Sequence, residues 1–223
     1  MPRTARQAPG QIIYHVLNRS VAGRPIFDEG PDFNAFVRVL NEAVEKFSIR
    51  LLGWCVMSNH WHLILWPRED GELSAFMRWL TTTHVRRWHQ YRKSSGHGPI
   101  YQGRFKSFPV ETNEYLLTLM RYVERNPLRA GMVQRAEHWL YSSLCQRIGT
   151  STNFPPLTPS PVPIRSDWLE WLNEPQTDKE IAELRESIKR GRPYGTPQWQ
   201  AKISEKLSLS HTFRNRGGQT KRA

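Results

Sequence analysis

The sequence predicts an α+β fold of ferredoxin-like type: an antiparallel sheet of about four strands with packed helices, followed by a small, mostly helical C-terminal extension. Two observations carry that expectation. From Gln11 to Val123, β-prone runs and helix-spaced apolar positions alternate in the order strand, helix, hairpin, helix, strand, helix. Further on, Pro155, Pro156, Pro159, Pro161 and Pro163 crowd one stretch that can sustain neither a helix nor a central strand. The expected organisation is a main domain over residues 1–150, a Pro-rich linker over 151–164 and an extension over 165–223.

Each element has its own signal. Ile12, Ile13, Tyr14, His15, Val16 and Leu17 form the β-prone run of a first strand within Gln11–Arg19. Phe33, Phe36, Val37, Leu40, Val44 and Phe47 fall at helical intervals, so Asp32–Phe47 is an amphipathic helix. Arg50–Met57 and His60–Trp66 are apolar segments divided only by Ser58 and Asn59, the pattern of a β-hairpin. A second helix carries Leu73, Phe76, Met77, Leu80, Val85 and Trp88 and stops at the turn of Ser94–Gly98. Tyr101–Val110 reads as the fourth strand. Thr112 or Asn113 can cap a third helix, whose buried stripe is Leu116, Leu119, Met120 and Val123. In the extension, Thr177 and Glu180 have the spacing of a capping box for a helix with Ile181, Leu184 and Ile188 inward. Gly191, Pro193 and Gly195 break that helix, and Pro197 suits the first turn of another. Ser208–Ala223 holds Arg214, Arg216, Lys221 and Arg222 and no acid, a tail expected to order on a phosphate backbone.

Composition narrows the class of partner. Lys and Arg outnumber Asp and Glu 32 to 20, and nine Trp contribute to an aromatic content of 11%. A basic, aromatic-rich chain suits a polyanion with unstacked bases. The two cysteines, Cys55 and Cys145, have no paired spacing, which argues against a disulfide framework or a structural zinc site. Met1–Gly10 lacks an apolar core and no run approaches a membrane span, so a cytoplasmic protein without membrane contact is expected. The sharpest signal for nucleic acid is Leu73–Val110, which contains no Asp or Glu but holds Arg78, Arg86, Arg87, Arg92, Lys93, Arg104 and Lys106. A continuous positive surface is the expected result, with Tyr101 and the Arg104–Lys106 strand as candidate contacts and Trp88 assigned to the core.

Two motifs carry chemistry. His60, Trp61 and His62 lie on a predicted strand, where alternation sends both imidazoles to one face and Trp61 to the other. Two neighbouring imidazoles can share one metal; the plainer reading is two polar residues on a half-exposed strand. The predicted third helix carries Tyr115, Thr118, Tyr122 and Asn126 on its polar face. Asn126 precedes Pro127, which favours a helix end there and frees the amide, and its oxygen suits a hard cation already held by imidazoles. Read alone, Tyr115 and Tyr122 edge the core and Asn126 caps a helix.

Four segments together resemble the tyrosine transposases of the His-hydrophobe-His class, and within them those associated with repetitive extragenic palindromes (REP). They are His15-Val-Leu-Asn18-Arg19, Met57-Ser-Asn-His60-Trp-His62-Leu, Tyr101-Gln-Gly-Arg104-Phe-Lys106 and Tyr122-Val-Glu-Arg-Asn126-Pro127-Leu-Arg-Ala-Gly131, within Gln11–Val133. The resemblance implies that His60 and His62 ligate a divalent metal, Mg2+ or Mn2+, that Asn126 completes the site and that Tyr122 is the nucleophile. Insertion-sequence members of the class typically have Gln where Asn126 stands; the Asn-Pro form and the long tail point to the palindrome-associated branch. Tyr115 is the rival nucleophile, three turns from Asn126 where Tyr122 is one.

The implied activity is metal-dependent single-strand cleavage and rejoining of hairpin-associated DNA through a 5′-phosphotyrosine and a free 3′-hydroxyl. Partners would be single-stranded or hairpin DNA, bound by a monomer or a homodimer. Beyond Tyr101, Arg104 and Lys106, the expected DNA contacts are Asn18, Arg19, Arg86, Arg87, Arg125, Arg129 and, in the extension, Arg192. No nucleotide-binding Gly-x-x-x-x-Gly-Lys-Ser/Thr loop occurs, consistent with a covalent link that retains the energy of the broken bond. The competing reading is a non-catalytic regulator that binds hairpin DNA or RNA on a similar sheet. A metal-dependent hydrolase using water would want more carboxylates than these motifs contain.

Overall fold

The computed structural model describes residues 8–96, 98–150 and 154–214. Four strands, β1 (Ile13–Arg19), β2 (Arg50–Met57), β3 (His60–Trp66) and β4 (Lys106–Val110), pair antiparallel in the order β2-β3-β1-β4. Helices α1 (Gly30–Phe47), α2 (Glu72–Tyr91) and α3 (Glu114–Glu124) connect and cover them. This is the ferredoxin-like α+β arrangement expected from the order of elements.

Alternation along the strands sorts residues between two cores. Tyr14 and Val16, Trp54 and Val56, and Trp61, Leu63 and Leu65 pack under α1 and α2. Ile13, Cys55, Met57, Ile64, Phe108 and Val110 face α3 on the other side. The register β1–β3 sets Leu17 opposite His62 and Arg19 opposite His60. The imidazoles of the hairpin therefore share the α3 face, while Trp61 is fully buried on the other.

The fourth strand is shorter than expected. Only Lys106–Val110 joins the ladder, and Tyr101 reaches β1 through an isolated bridge to Ser20. The third helix starts at Asn113, whose side chain accepts from Tyr115 N–H, and ends at Glu124. Asn126 then opens a separate short helix, α4 (Asn126–Arg129), because Pro127 supplies no N–H to continue the ladder.

The C-terminal segment shares the α3-side core. Helices α5 (Ser143–Arg147), α6 (Trp168–Asn173), α7 (Asp178–Arg190) and α8 (Pro197–Lys206) follow. The capping box of Thr177 and Glu180 is present, Gly191 ends α7 at φ 72° and Pro197 sits in the first turn of α8. Trp168, Leu172, Leu184 and Tyr194 are buried among the residues of α3 and the sheet. The Pro-rich stretch expected to be a spacer is packed where it is described: Phe154 meets Trp54 edge-on at 5.1 Å and Thr158 N–H donates to Leu51 C=O at 2.8 Å. Tyr194 pairs with the outer edge of β4 through Tyr194 N–H to Pro109 C=O and Glu111 N–H to Tyr194 C=O, both 2.9 Å. Val56 N–H donates to Tyr141 C=O at the opposite edge, so both margins of the sheet are covered. Of the expected basic tail, Arg214 is exposed, and Arg216, Lys221 and Arg222 lie outside the described residues.

Candidate active site

The hairpin turn before His60 is braced from outside. Ser58 C=O accepts from Ile26 and Phe27 N–H, and Asn59 C=O accepts from Ser20 N–H. Asn59 Nδ2 donates to Gly23 C=O at 2.9 Å, which turns its Oδ1 to His60 Nδ1 at 2.7 Å. His62 Nδ1 is likewise engaged, 2.8 Å from His15 Nε2. The rings of His60 and His62 lie 5.0 Å apart at 83°, and neither Nε2 has a hydrogen-bond partner among the described residues.

Burial keeps these rings neutral. His60 is lowered to about 4, chiefly by desolvation and then by Arg19 and Arg129. His62 is held well below the ordinary value by desolvation and by His15, His60 and Arg129, and His15 is lowered to about 3 by desolvation. On the far side of the sheet, His84 is also lowered to about 3 by burial. In each case the folded value lies below the unfolded 6.5, so the unfolded chain binds the extra proton as pH falls. Stability is then complete above about 6.5 and declines progressively toward pH 4. Urea midpoints at pH 7.5, 6.0 and 5.0 in metal-free buffer should fall in that order, each imidazole contributing at most about 1.4 kcal/mol per pH unit. A midpoint independent of pH over that range would contradict the buried neutral rings.

The Tyr122 ring meets His62 edge-on at 6.1 Å, and its hydroxyl has no hydrogen-bond partner among the described residues. Arg129 ties Tyr122 to Asn126: its Cζ stands 3.9 Å from the phenol centroid, and Nη2 donates to Asn126 Oδ1 at 2.7 Å. Arg129 Nη1, Arg125 Nε and Asn126 Nδ2 are buried without partners, which makes this corner rich in donors and short of acceptors. Among the described residues no group of three or more His, Cys, Asp or Glu converges to hold a metal. The donors on offer are two neutral imidazole nitrogens and the second lone pair of the Asn126 carboxamide oxygen. That mixed nitrogen and oxygen set fits a divalent cation that keeps water ligands.

Tyr115 lies elsewhere. Its ring packs edge-on against Tyr194 at 4.9 Å, beside the extension, and burial followed by Glu183 and Glu111 raises its hydroxyl.

The expected DNA contacts divide by location. Arg19 is exposed and its charge acts on His60; Arg104 and Lys106 are exposed, with Lys106 opposite Leu17 in the sheet. Arg125 and Arg129 border Tyr122. Arg192 lies near Tyr115 and Tyr194, its guanidinium 4.0 Å from the Phe213 ring. Two expectations need correction. Asn18 is buried, with Nδ2 donating to Gly103 C=O and Oδ1 accepting from Arg19 N–H, so its amide serves the backbone. Tyr101 is 6% exposed, and its hydroxyl accepts from Trp61 Nε1 and donates to His84 Nδ1, so its ring has no face open to a base. Arg86 and Arg87 sit on α2, across the sheet from Tyr122, and Arg87 forms a bidentate pair with Glu42 at 2.7 and 2.8 Å. The acid-free stretch therefore does not form one surface with the imidazoles.

Two residues bearing on the site were not singled out by sequence, Asn59 and Arg185, the latter on α7 and adding to the positive field at Arg129; His15, the strand histidine of the His-Val-Leu-Asn-Arg segment expected near the site, does reach it. Asn59 adjoins His60, and His15 shares the parity of the buried face, so a register for β1 against β3 would have brought His15 to His62.

Fold and site define a ferredoxin-like protein with a His-hydrophobe-His pair facing a helix-borne tyrosine. A family model described as "Transposase IS200 like" matches residues 9–126, and the chain belongs to that family. A Haemophilus influenzae protein described as a REP-associated tyrosine transposase is 23% identical over 118 residues, covering 49% of this chain and 67% of its own length. The fold is similar to that of a REP-associated tyrosine transposase solved bound to a REP hairpin, with TM-score 0.54 and 16% identity, covering 66% of this chain and 86% of that one. A transposase structure from Deinococcus radiodurans R1 aligns with TM-score 0.41 and 15% identity over 55% of this chain and 96% of its own. Among the described residues no helix is long and apolar enough to cross a membrane.

Proposed function

We propose that the protein cleaves and rejoins single-stranded DNA beside a hairpin, with Tyr122 as nucleophile and His60, His62 and Asn126 as ligands of a divalent metal. The observation that carries this reading is the Tyr122 side chain, its hydroxyl without a partner among the described residues, set against His62 and under the Arg129 guanidinium. The family assignment supports DNA strand chemistry, and the relative solved with a REP hairpin supports a folded DNA of that kind as the substrate.

In the proposed step the Tyr122 oxygen forms a bond to phosphorus while the bond from phosphorus to the 3′-oxygen breaks. The phenol proton passes to solvent, and the departing 3′-oxygen takes a proton from solvent to leave as a hydroxyl. A bound divalent cation would supply Lewis-acid polarisation of the phosphate and stabilise charge on the leaving oxygen. His60 and His62 present the nitrogens that hold it and Asn126 the oxygen. Arg129 lies over the phenol ring, and its unpartnered Nη1 is a donor for the phosphate as negative charge develops there. The phosphotyrosine keeps the bond energy, so a second 3′-hydroxyl can displace Tyr122 and rejoin the strand.

The test is incubation of labelled hairpin-bearing single strands with Mg2+ or Mn2+, followed by a denaturing gel. An adduct that survives denaturation and vanishes with chelator is expected. Arg129→Ala should lower its rate of formation by about 10^2- to 10^3-fold, the cost of losing one charge-stabilising donor. If the DNA binds but yields no adduct or nick, with several hairpins including the native flanking sequence, the non-catalytic regulator becomes the better reading.

A further inference from the structure

We propose that His15 is a positioning residue for the metal site, accepting the Nδ1 hydrogen of His62 and thereby fixing the tautomer that offers Nε2 to a divalent cation. The inference rests on the metal-binding part of the function proposed above.

His15 lies on β1, between β3 and β4, and is fully buried. Its Nε2 is 2.8 Å from His62 Nδ1, and the two rings stack at 5.0 Å and 17°. Phe108 closes the other side of His15 at 4.8 Å and 55°, so the ring is packed in place. A neutral imidazole has one hydrogen, and a ring carrying it on Nε2 cannot ligate through that atom. His60 meets the same need differently: Asn59 Oδ1 accepts from Nδ1 and leaves Nε2 with its lone pair. The two rings of the pair are therefore both held at Nδ1, one by a carboxamide oxygen and the other by a second imidazole.

The arrangement at His62 has a structural cost that the one at His60 does not. When His15 accepts at Nε2, its own hydrogen resides on Nδ1, and that atom is buried without a partner. Burying a donor unpaired is unfavourable, and such groups in native proteins call for a functional account. A phenylalanine in this position would bury no Nδ1 donor of its own and would fill the same space, but it would take the acceptor from His62 Nδ1, so what calls for histidine is the partner ring and not packing. Partners that orient a metal-bound histidine typically matter about 10- to 100-fold in metal affinity.

The measurement is Mn2+ affinity by calorimetry, without DNA, for the full chain and for His15→Phe and His15→Gln. His15→Phe is expected to remain folded and to bind about 10- to 100-fold more weakly. His15→Gln, whose Oε1 can accept from His62 Nδ1, should recover much of that loss. Ring-nitrogen NMR of the Mg2+-loaded wild type supplies a readout independent of either variant: His62 should carry hydrogen on Nδ1, coupled across the hydrogen bond to His15. Wild-type affinity in His15→Phe, or hydrogen on His62 Nε2 in the loaded protein, would overturn the proposal. Tight Mn2+ binding with the expected tautomer but no DNA adduct would support the role of His15 and sink only the catalytic reading. Absence of Mn2+ binding to the wild type would overturn both.

Discussion

Tyr122→Phe is expected to eliminate the denaturation-resistant adduct and to lower strand cleavage by more than about 10^3-fold, while hairpin binding persists. The substitution removes one oxygen and leaves the ring that packs against His62 and Arg129, so loss of activity would report chemistry rather than folding. Tyr115→Phe should retain the adduct, because that ring is committed to Tyr194 and stands apart from the imidazoles. A gel comparing wild type with the two variants decides between them. An adduct retained in Tyr122→Phe and lost in Tyr115→Phe would reverse the assignment and require the extension to move.

The second large effect concerns stability. Glu124→Ala should destabilise the protein by about 3–5 kcal/mol, the usual cost of removing one partner from a buried charged network. Glu124 is fully buried on the side of α3 turned away from the site. Its Oε1 accepts from Ser143 Oγ at 2.6 Å and from Arg147 Nε at 2.7 Å, and its Oε2 accepts from Trp168 Nε1 at 2.9 Å. Arg147 also donates to Leu52 C=O, so one carboxylate joins α3, the sheet, α5 and α6. Truncation leaves Arg147 Nε and Trp168 Nε1 without an acceptor and Ser143 Oγ with only Trp54 C=O, at 3.2 Å. Trp168→Phe removes one hydrogen bond to a charged group and should cost about 1.5–3 kcal/mol. Urea unfolding of both variants is the measurement. A loss below about 1 kcal/mol for Glu124→Ala would mean that the donors find water or other partners.

That network bears on how the chain is divided. The proline crowding of 155–163 suggested a spacer, and composition changes beyond it, yet Trp168, Leu172, Leu184 and Tyr194 enter the α3-side core. Prolines exclude helix and central strand; they do not prevent a segment from lying against a sheet edge, as Thr158 does at Leu51. Arg121 strengthens the same attachment, with Nη2 donating to Glu174 C=O at 2.7 Å and its guanidinium 4.4 Å from the Trp171 ring.

Charge was the least reliable guide to surface. The absence of acids from Leu73 to Val110 was correctly read as basic, but α2 covers the opposite face of the sheet from Tyr122. Arg87 finds its counter-ion in Glu42 on α1, outside the acid-free stretch. Tyr101 followed the same pattern: an aromatic among basic residues looked available for stacking, whereas Trp61 and His84 hold its hydroxyl inside.

The class of fold, the hairpin with its imidazoles on one face and the helix carrying Tyr122 just ahead of Asn126 are all legible in the order of residues along the chain. Those features follow from periods of two and of 3.6 residues, which are local properties of the chain. Tertiary structure alone decided that His15 meets His62, that Arg129 spans Tyr122 and Asn126, and that the extension shares the core of α3. The reason is physical: these contacts depend on strand register and on the packing of side chains from elements distant in sequence. His15 and His62 are 47 residues apart, and a shift of one residue in register would turn one of those imidazoles to the opposite face of the sheet.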